Sequence, residues 1–222
     1  MLNTTYSFSS TVHTYANEFQ AEYPTEVVKN EPMFFNANLA FIYENGGPIT
    51  KAFVDNLPHT WKNEDTVWDS RVHMLMPGWF PCIPGFHHDD VPRSSIDQQP
   101  NYDDPEYRSK HIIGLVNGDI CPTEFALGDF NLPGIVDGEI IYKHWHPLVV
   151  QHLINGQAQS FSVPSGRYIE FDDRSFHQGT PAIKGGWRWF IRGSKDTDRT
   201  KNCTNEIRRQ VQVYLEHPME GW

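Results

Sequence analysis

Between positions 84 and 90 the chain reads Pro84-Gly85-Phe86-His87-His88-Asp89-Asp90, and this run restricts the fold more than any other. Alternate residues of an extended segment face the same side, so His87 with Asp89, or His88 with Asp90, can reach one ion. A slip of one residue exchanges the two sets, so only one register can serve. Two ligands do not complete a site, and the third has to arrive from far along the chain. Phe176-His177, followed by Arg188 and Arg192, offers an imidazole and then two cations. Two imidazoles and a carboxylate on one face of Fe(II) leave the other positions open for cosubstrate and dioxygen. A guanidinium behind such a centre suits an acidic cosubstrate, because its planar fork matches a carboxylate. Any fold for this chain must therefore bring residues 87–90 beside residue 177.

These residues resemble the Fe(II)/2-oxoglutarate-dependent dioxygenase superfamily. In that family the first ligand of the His-x-Asp pair often follows an aromatic residue, as His87 follows Phe86 and His88 does not. The resemblance thus favours His87, Asp89 and His177 as metal ligands. The family also carries a basic residue on the last strand after the distal His, and both Arg188 and Arg192 fit that spacing. Arg188, opening the run Arg188-Trp189-Phe190-Ile191, is the preferred holder of 2-oxoglutarate and Arg192 the second choice. The resemblance spans residues 67–194 and implies a mainly β chain with a double-stranded β-helix of jelly-roll or cupin-like type and a few flanking helices. It implies Fe(II) with 2-oxoglutarate as cosubstrate, ascorbate as an accessory, and hydroxylation of a C–H bond with release of succinate and CO2. Family halogenases lack the carboxylate that Asp89 supplies, which points to hydroxylation. A cupin-like metalloenzyme that does not use 2-oxoglutarate, and a non-catalytic jelly-roll binding module, are the alternatives.

With 222 residues the chain suits one β-barrel-sized domain, with a helical N-terminal flank and a C-terminal extension. A net charge of −10 disfavours a polymeric anionic partner, leaving a small molecule or a peptide as the expected substrate. Three cysteines without zinc-site spacing suit a reducing compartment. Met1 to Ser10 has neither a basic nor an apolar leader region, and no apolar run is long enough to span a bilayer, so a cytoplasmic protein without membrane contact is expected.

Hydrophobic periodicity supplies the remaining expectations. Gly47-Pro48 starts a helix with Ile49, Ala52, Phe53 and Leu57 on one stripe, and Pro58 stops it. From Val67 the period becomes two, with Trp68, Val72, Met74 and Met76 opposite Asp69, Arg71 and His73. That polar face reads as solvent-facing, with a cavity lining as the alternative. Residues 91–110 read as a long loop and a candidate lid, with Arg93 as a cap of the acidic turn or, as the alternative, a contact to a substrate anion. Strands are expected at His111–Val116, Thr123–Leu127, Glu139–Tyr142, Leu148–Ile154, Gln157–Val163 and Arg167–Asp172, with Asp129–Gly138 a loop and Asn155-Gly156 a hairpin turn. His144-Trp145-His146 reads as packing or surface, since no carboxylate follows it. Asp172 and Asp173 suit either support of a ligand imidazole or turn capping. Thr11–Glu22 and Ile207–Leu215 each fit a helix or a strand, with Thr204-Asn205-Glu206 as the helix start of the second.

Overall fold

The computed structural model describes residues 5–62, 65–93, 100–102, 108–134 and 140–215. The chain runs through β1 (Thr5–Ser10), β2 (His13–Glu18), α1 (Thr25–Lys29), β3 (Met33–Phe35), α2 (Leu39–Asn45) and α3 (Pro48–Asp55). It continues through β4 (Val67–Leu75), β5 (Lys110–Val116), β6 (Thr123–Pro133), α4 (Ile141–Ile154), β7 (Gln159–Ser162) and β8 (Arg167–Asp172). The last strands are β9 (His177–Gly179), β10 (Gly186–Lys195) and β11 (Glu206–Arg208). The protein is mainly β, and its named strand pairs are antiparallel.

One sheet has the order β2-β8-β5-β10-β4. In the other, β6 is central, with β7 along one edge and β9 then β1 along the opposite edge. A two-stranded ribbon joins β11 to β3. The outer face of the five-stranded sheet is apolar, with Trp68, Val72, Trp189 and Ile191 packed against Val28, Ile42, Ile49, Phe53 and Trp61 from the N-terminal helices. Each such side chain contributes roughly 1.5–3 kcal/mol when fully buried. Helix α3 is fixed on this face by Glu31, whose carboxylate accepts from the Gly47, Ile49 and Thr50 amides at 2.9–3.1 Å. A carboxylate there satisfies amides that have no partner within the helix and opposes the positive end of its dipole. A second core under the other sheet gathers Phe8, Phe86, Phe130, Trp145, Val149 and Phe176.

Several expectations are corrected. Residues 129–133 belong to β6 and pair with β1, so the expected loop is strand as far as Pro133, while positions 135–139 lie outside the described residues. Of the strands expected at Glu139–Tyr142 and Leu148–Ile154, Ile141 and Tyr142 open α4 and Leu148–Ile154 complete it, while Glu139 lies outside the described residues. Their apolar residues mislead because Tyr142, Trp145 and Val149 form a helical stripe against the second core. Pro147 costs α4 a hydrogen bond to Lys143, whose side chain is exposed. Asn155-Gly156 ends this helix rather than turning a hairpin, with Gly156 at φ 71° in the left-handed conformation that commonly closes helices. Within Thr11–Glu22, His13–Glu18 forms the edge strand β2. The segment after Thr204 is strand β11 followed by extended chain, not a helix. Of the candidate lid, positions 94–99 and 103–107 lie outside the described residues, and Tyr102 between them is buried in the second core. No helix among the described residues is long and apolar enough to cross a membrane.

Candidate metal centre

The two distant motifs meet through their backbones. The His87 amide donates to the His177 carbonyl at 3.0 Å, and the His177 amide returns to His87 at 3.1 Å, making the two residues a cross-strand pair. Such pairing holds Cα atoms about 5.5 Å apart with side chains on one face. The imidazoles accordingly lie side by side, with ring centroids 4.6 Å apart. Asp89 shares the face of His87 by alternation, and its Oδ2 lies 3.1 Å from His177 Nε2 while Oδ1 is 3.9 Å from His87 Nε2. One donor atom from each of the three residues falls within 4.8 Å of the others, and theirs is the metal-competent group among the described residues.

Local sequence explains the delivery. Gly85, at φ 107°, turns the chain into the ligand segment in a region that side chains with a Cβ avoid. Asp90, at φ 52°, ends the extended run immediately after Asp89. The Phe86 amide donates to His146 Nδ1 at 3.0 Å, so His146 anchors the segment from α4. His88 turns to the opposite face, where its ring packs 3.9 Å from Phe176 and its Nδ1 lies 2.8 Å from the Tyr102 hydroxyl. The register with His88 and Asp90 therefore does not converge on His177.

Hydrogen bonds fix the direction of each ligand imidazole. His87 Nδ1 lies 2.8 Å from the Gly85 carbonyl and His177 Nδ1 3.0 Å from the Ser175 carbonyl. A carbonyl only accepts, so each Nδ1 carries a proton, and Nε2 is the ring nitrogen that each imidazole turns toward Asp89. Burial, with His177 beside it, holds His87 neutral, its pKa lowered to about 3. Burial alone would raise the Asp89 carboxyl, but Arg192 and then His177 outweigh it and hold Asp89 well below the usual range. Phe125 and Phe171 stand 5.4 and 5.0 Å from the His177 ring and keep that side apolar.

The two arginines sit differently. Both point from β10 into a cavity of about 580 Å³ that also holds the three ligand residues. Arg192 is engaged by acids: it bonds Asp89 and lies 3.7 Å from Asp69 and 4.0 Å from Asp90. Arg199 bonds Asp69 as well and lies 3.4 Å from Asp90. Arg192 thus holds the Asp89 carboxylate in place. Arg188 is buried, and its Nη2 donates to Thr123 Oγ1 at 2.8 Å. Its Nε has no hydrogen-bond partner among the described residues, and no carboxylate there pairs with it.

The polar face of β4 lines this cavity through Asp69, Arg71 and His73, correcting the solvent-facing expectation. Asp69 and His73 are buried, whereas Met74 and Met76, expected on the packed face, are exposed. Asp172 caps its turn, its Oδ1 accepting from the Arg174 amide at 2.9 Å and from Ser175 Oγ at 3.0 Å, and does not touch a ligand imidazole. Asp173 faces Arg108 and Arg174 at 3.8 and 3.7 Å. Sequence reasoning missed the wall formed by Arg208, Gln210, Gln212 and Tyr214. A partial signal was present in the alternation of Gln210, Gln212 and Tyr214 with Val211 and Val213, although Val211 lines the cavity as well. No protein-family model matches the chain, and no match is found among curated proteins.

Proposed function

We propose that the protein is an Fe(II)- and 2-oxoglutarate-dependent oxygenase that hydroxylates a C–H bond, using dioxygen and releasing succinate and CO2. One observation carries the reading. Two imidazole Nε2 atoms and a carboxylate converge within 4.8 Å, with both Nδ1 protons committed to backbone carbonyls. A single proton relieves one of these contacts, whereas a divalent ion with open positions suits all three.

The strand order supports the corresponding fold, a double-stranded β-helix. From β4 onward the chain alternates between the two sheets, passing through β4, the His87 bridge, β5, β6 and β7, β8, β9 and β10. In this reading His87, Asp89 and His177 hold Fe(II), which supplies dioxygen activation when bound. Arg188 binds the far carboxylate of 2-oxoglutarate, having no acid of its own to displace. Arg192 keeps Asp89 ionised and aimed at the metal, and the aromatic side chains around His177 exclude water.

The test is anaerobic calorimetry of 2-oxoglutarate binding to the Fe(II)-loaded protein, followed aerobically by succinate release from labelled cosubstrate. Binding is expected in wild type and lost in His177→Ala and in Arg188→Gln. Equal affinity in all three, or no affinity in wild type, removes the reading.

A further inference from the structure

We propose that Arg71 and Arg208 form a second anion position in the same cavity, which takes a carboxylate or phosphate group of the substrate while Arg188 takes the cosubstrate. The substrate is then a small organic anion, an assignment that rests on the oxygenase reading above, whereas the anion position itself does not.

Arg71 projects from the inward face of β4 between Asp69 and His73, and Arg208 closes β11. The segment carrying Arg208 is tied at both ends. Strand β11 pairs with β3, and Tyr214 exchanges two backbone hydrogen bonds with Phe80 at 2.8 and 3.0 Å. Between these anchors Gln210 and Gln212 face the cavity and add neutral hydrogen-bonding groups to its wall.

The contrast with the neighbouring cations identifies the two arginines. Arg192 and Arg199 are both matched by Asp69 and Asp90. Among the described residues no carboxylate pairs with Arg71 or Arg208, although the protein carries 28 acidic residues against 18 basic ones. Arg208 lies with its guanidinium 4.7 Å from the Phe35 ring centroid, an arrangement that leaves edge N–H groups for an oxyanion. Its Nε is buried without a hydrogen-bond partner among those residues. Arg208 pairs with Met33 on β3, and the next residue, Phe34, donates its amide to Ser70 Oγ on β4 at 2.9 Å, so Arg208 and Arg71 come to one wall of the cavity, where burial and next the like charge of Arg71 depress the Arg208 pKa against a smaller opposing pull from Asp69. His73 beside them stays neutral, lowered to about 3 by burial and then by Arg188 and Arg71. An arriving anion relieves this repulsion, and a positive cavity in a chain of net charge −10 concentrates anions where the rest of the surface disperses them.

Inorganic phosphate and acetate serve as probes, titrated calorimetrically into the full chain as wild type, Arg71→Gln/Arg208→Gln and Arg188→Gln, with 2-oxoglutarate binding followed in parallel under Fe(II). At least one probe is expected to bind wild type and to weaken at least ~10-fold in the double variant, while cosubstrate affinity moves less than ~3-fold. Arg188→Gln is expected to show the reverse. Whichever probe binds distinguishes phosphate from carboxylate chemistry. Failure of both probes to bind wild type, unchanged binding in the double variant, or equal loss in Arg188→Gln overturns the proposal. Probe binding that depends on Arg71 and Arg208 in a protein without 2-oxoglutarate affinity supports the anion position and ends the oxygenase reading instead. Melting of the double variant at or above wild type controls for folding, and Arg208→Gln alone, at a half-buried side chain, provides a milder version of the same test.

Discussion

Strand β10 carries Trp189 and Ile191 on one face and Arg188 and Arg192 on the other, and β4 repeats the pattern with Trp68 and Val72 opposite Asp69 and His73. Trp189, Ile191 and Arg188 are all buried. On the helix side, burial removes apolar surface from water and stabilises the fold. On the cavity side, it strips hydration from charges that regain only part of the loss through partners. The same strands therefore spend one face on holding the protein together and the other on a site that costs stability. The comparison implies that substitutions on the two faces affect different measurements.

The largest separation is expected from His177→Ala. Metal affinity should fall by ~10⁴-fold or more, about 5.5 kcal/mol, with a much smaller change in the melting temperature of the metal-free protein. Equilibrium dialysis with Fe(II) and calorimetric melting check both. Retained metal would remove the distinction between the faces. Trp189→Ala should act the other way, destabilising the fold by about 3–5 kcal/mol through lost packing and a cavity. Denaturant unfolding measures it, and any metal still bound by the folded fraction should bind with wild-type affinity. Arg188→Met sharpens the contrast at a position adjacent to Trp189. Replacing this buried cation by an apolar chain should leave stability unchanged or raise it by about 1–2 kcal/mol, while 2-oxoglutarate binding is lost. A loss of several kcal/mol would mean that Arg188 is part of the core after all.

Much of the helix-facing half of the strands and the meeting of His87, Asp89 and His177 were legible in the sequence, and the cavity walls were not. Strands β4, β5 and β8 announce themselves through period and turn residues, and α3 through its stripe and Pro48, whereas β10 was expected only from the family resemblance at Arg188. His87, Asp89 and His177 could be read because each half of the set is a local pattern that keeps its meaning without the fold. The role of Arg71 and the C-terminal wall could not, because a polar alternation looks the same against water as against a cavity. What decides between them is β11 pairing with β3 and Tyr214 bridging Phe80, both contacts between distant parts of the chain. Helix α4 was missed for a different reason. Its β-branched ends and Pro147 outweigh a stripe that becomes visible only once the second core is there to receive it.

The smallest expected effect extends the comparison to Asp173, an acid buried at the turn before β9. Burial first, and then the neighbouring Asp172, raise its carboxyl from the usual range to about 6, although Arg108 and Arg174 pull the other way. Because the folded state binds its proton more tightly than the unfolded chain does, folding stability falls as pH rises through the window from about 4 to about 6. Above that window the ionised side chain is a standing cost, of the order of 1–3 kcal/mol with its loose arginine contacts already included. Asp173→Asn keeps the shape and removes the charge. It should raise the melting temperature by a few degrees at pH 7.5, and the advantage should disappear at pH 4, where the wild-type acid is protonated. An equal gain at both pH values would assign the effect to packing or hydrogen bonding. A loss at pH 7.5 would mean that Arg108 and Arg174 need this carboxylate more than burial opposes it, which would place Asp173 with Asp69 and Asp89 among the acids that matched cations hold ionised.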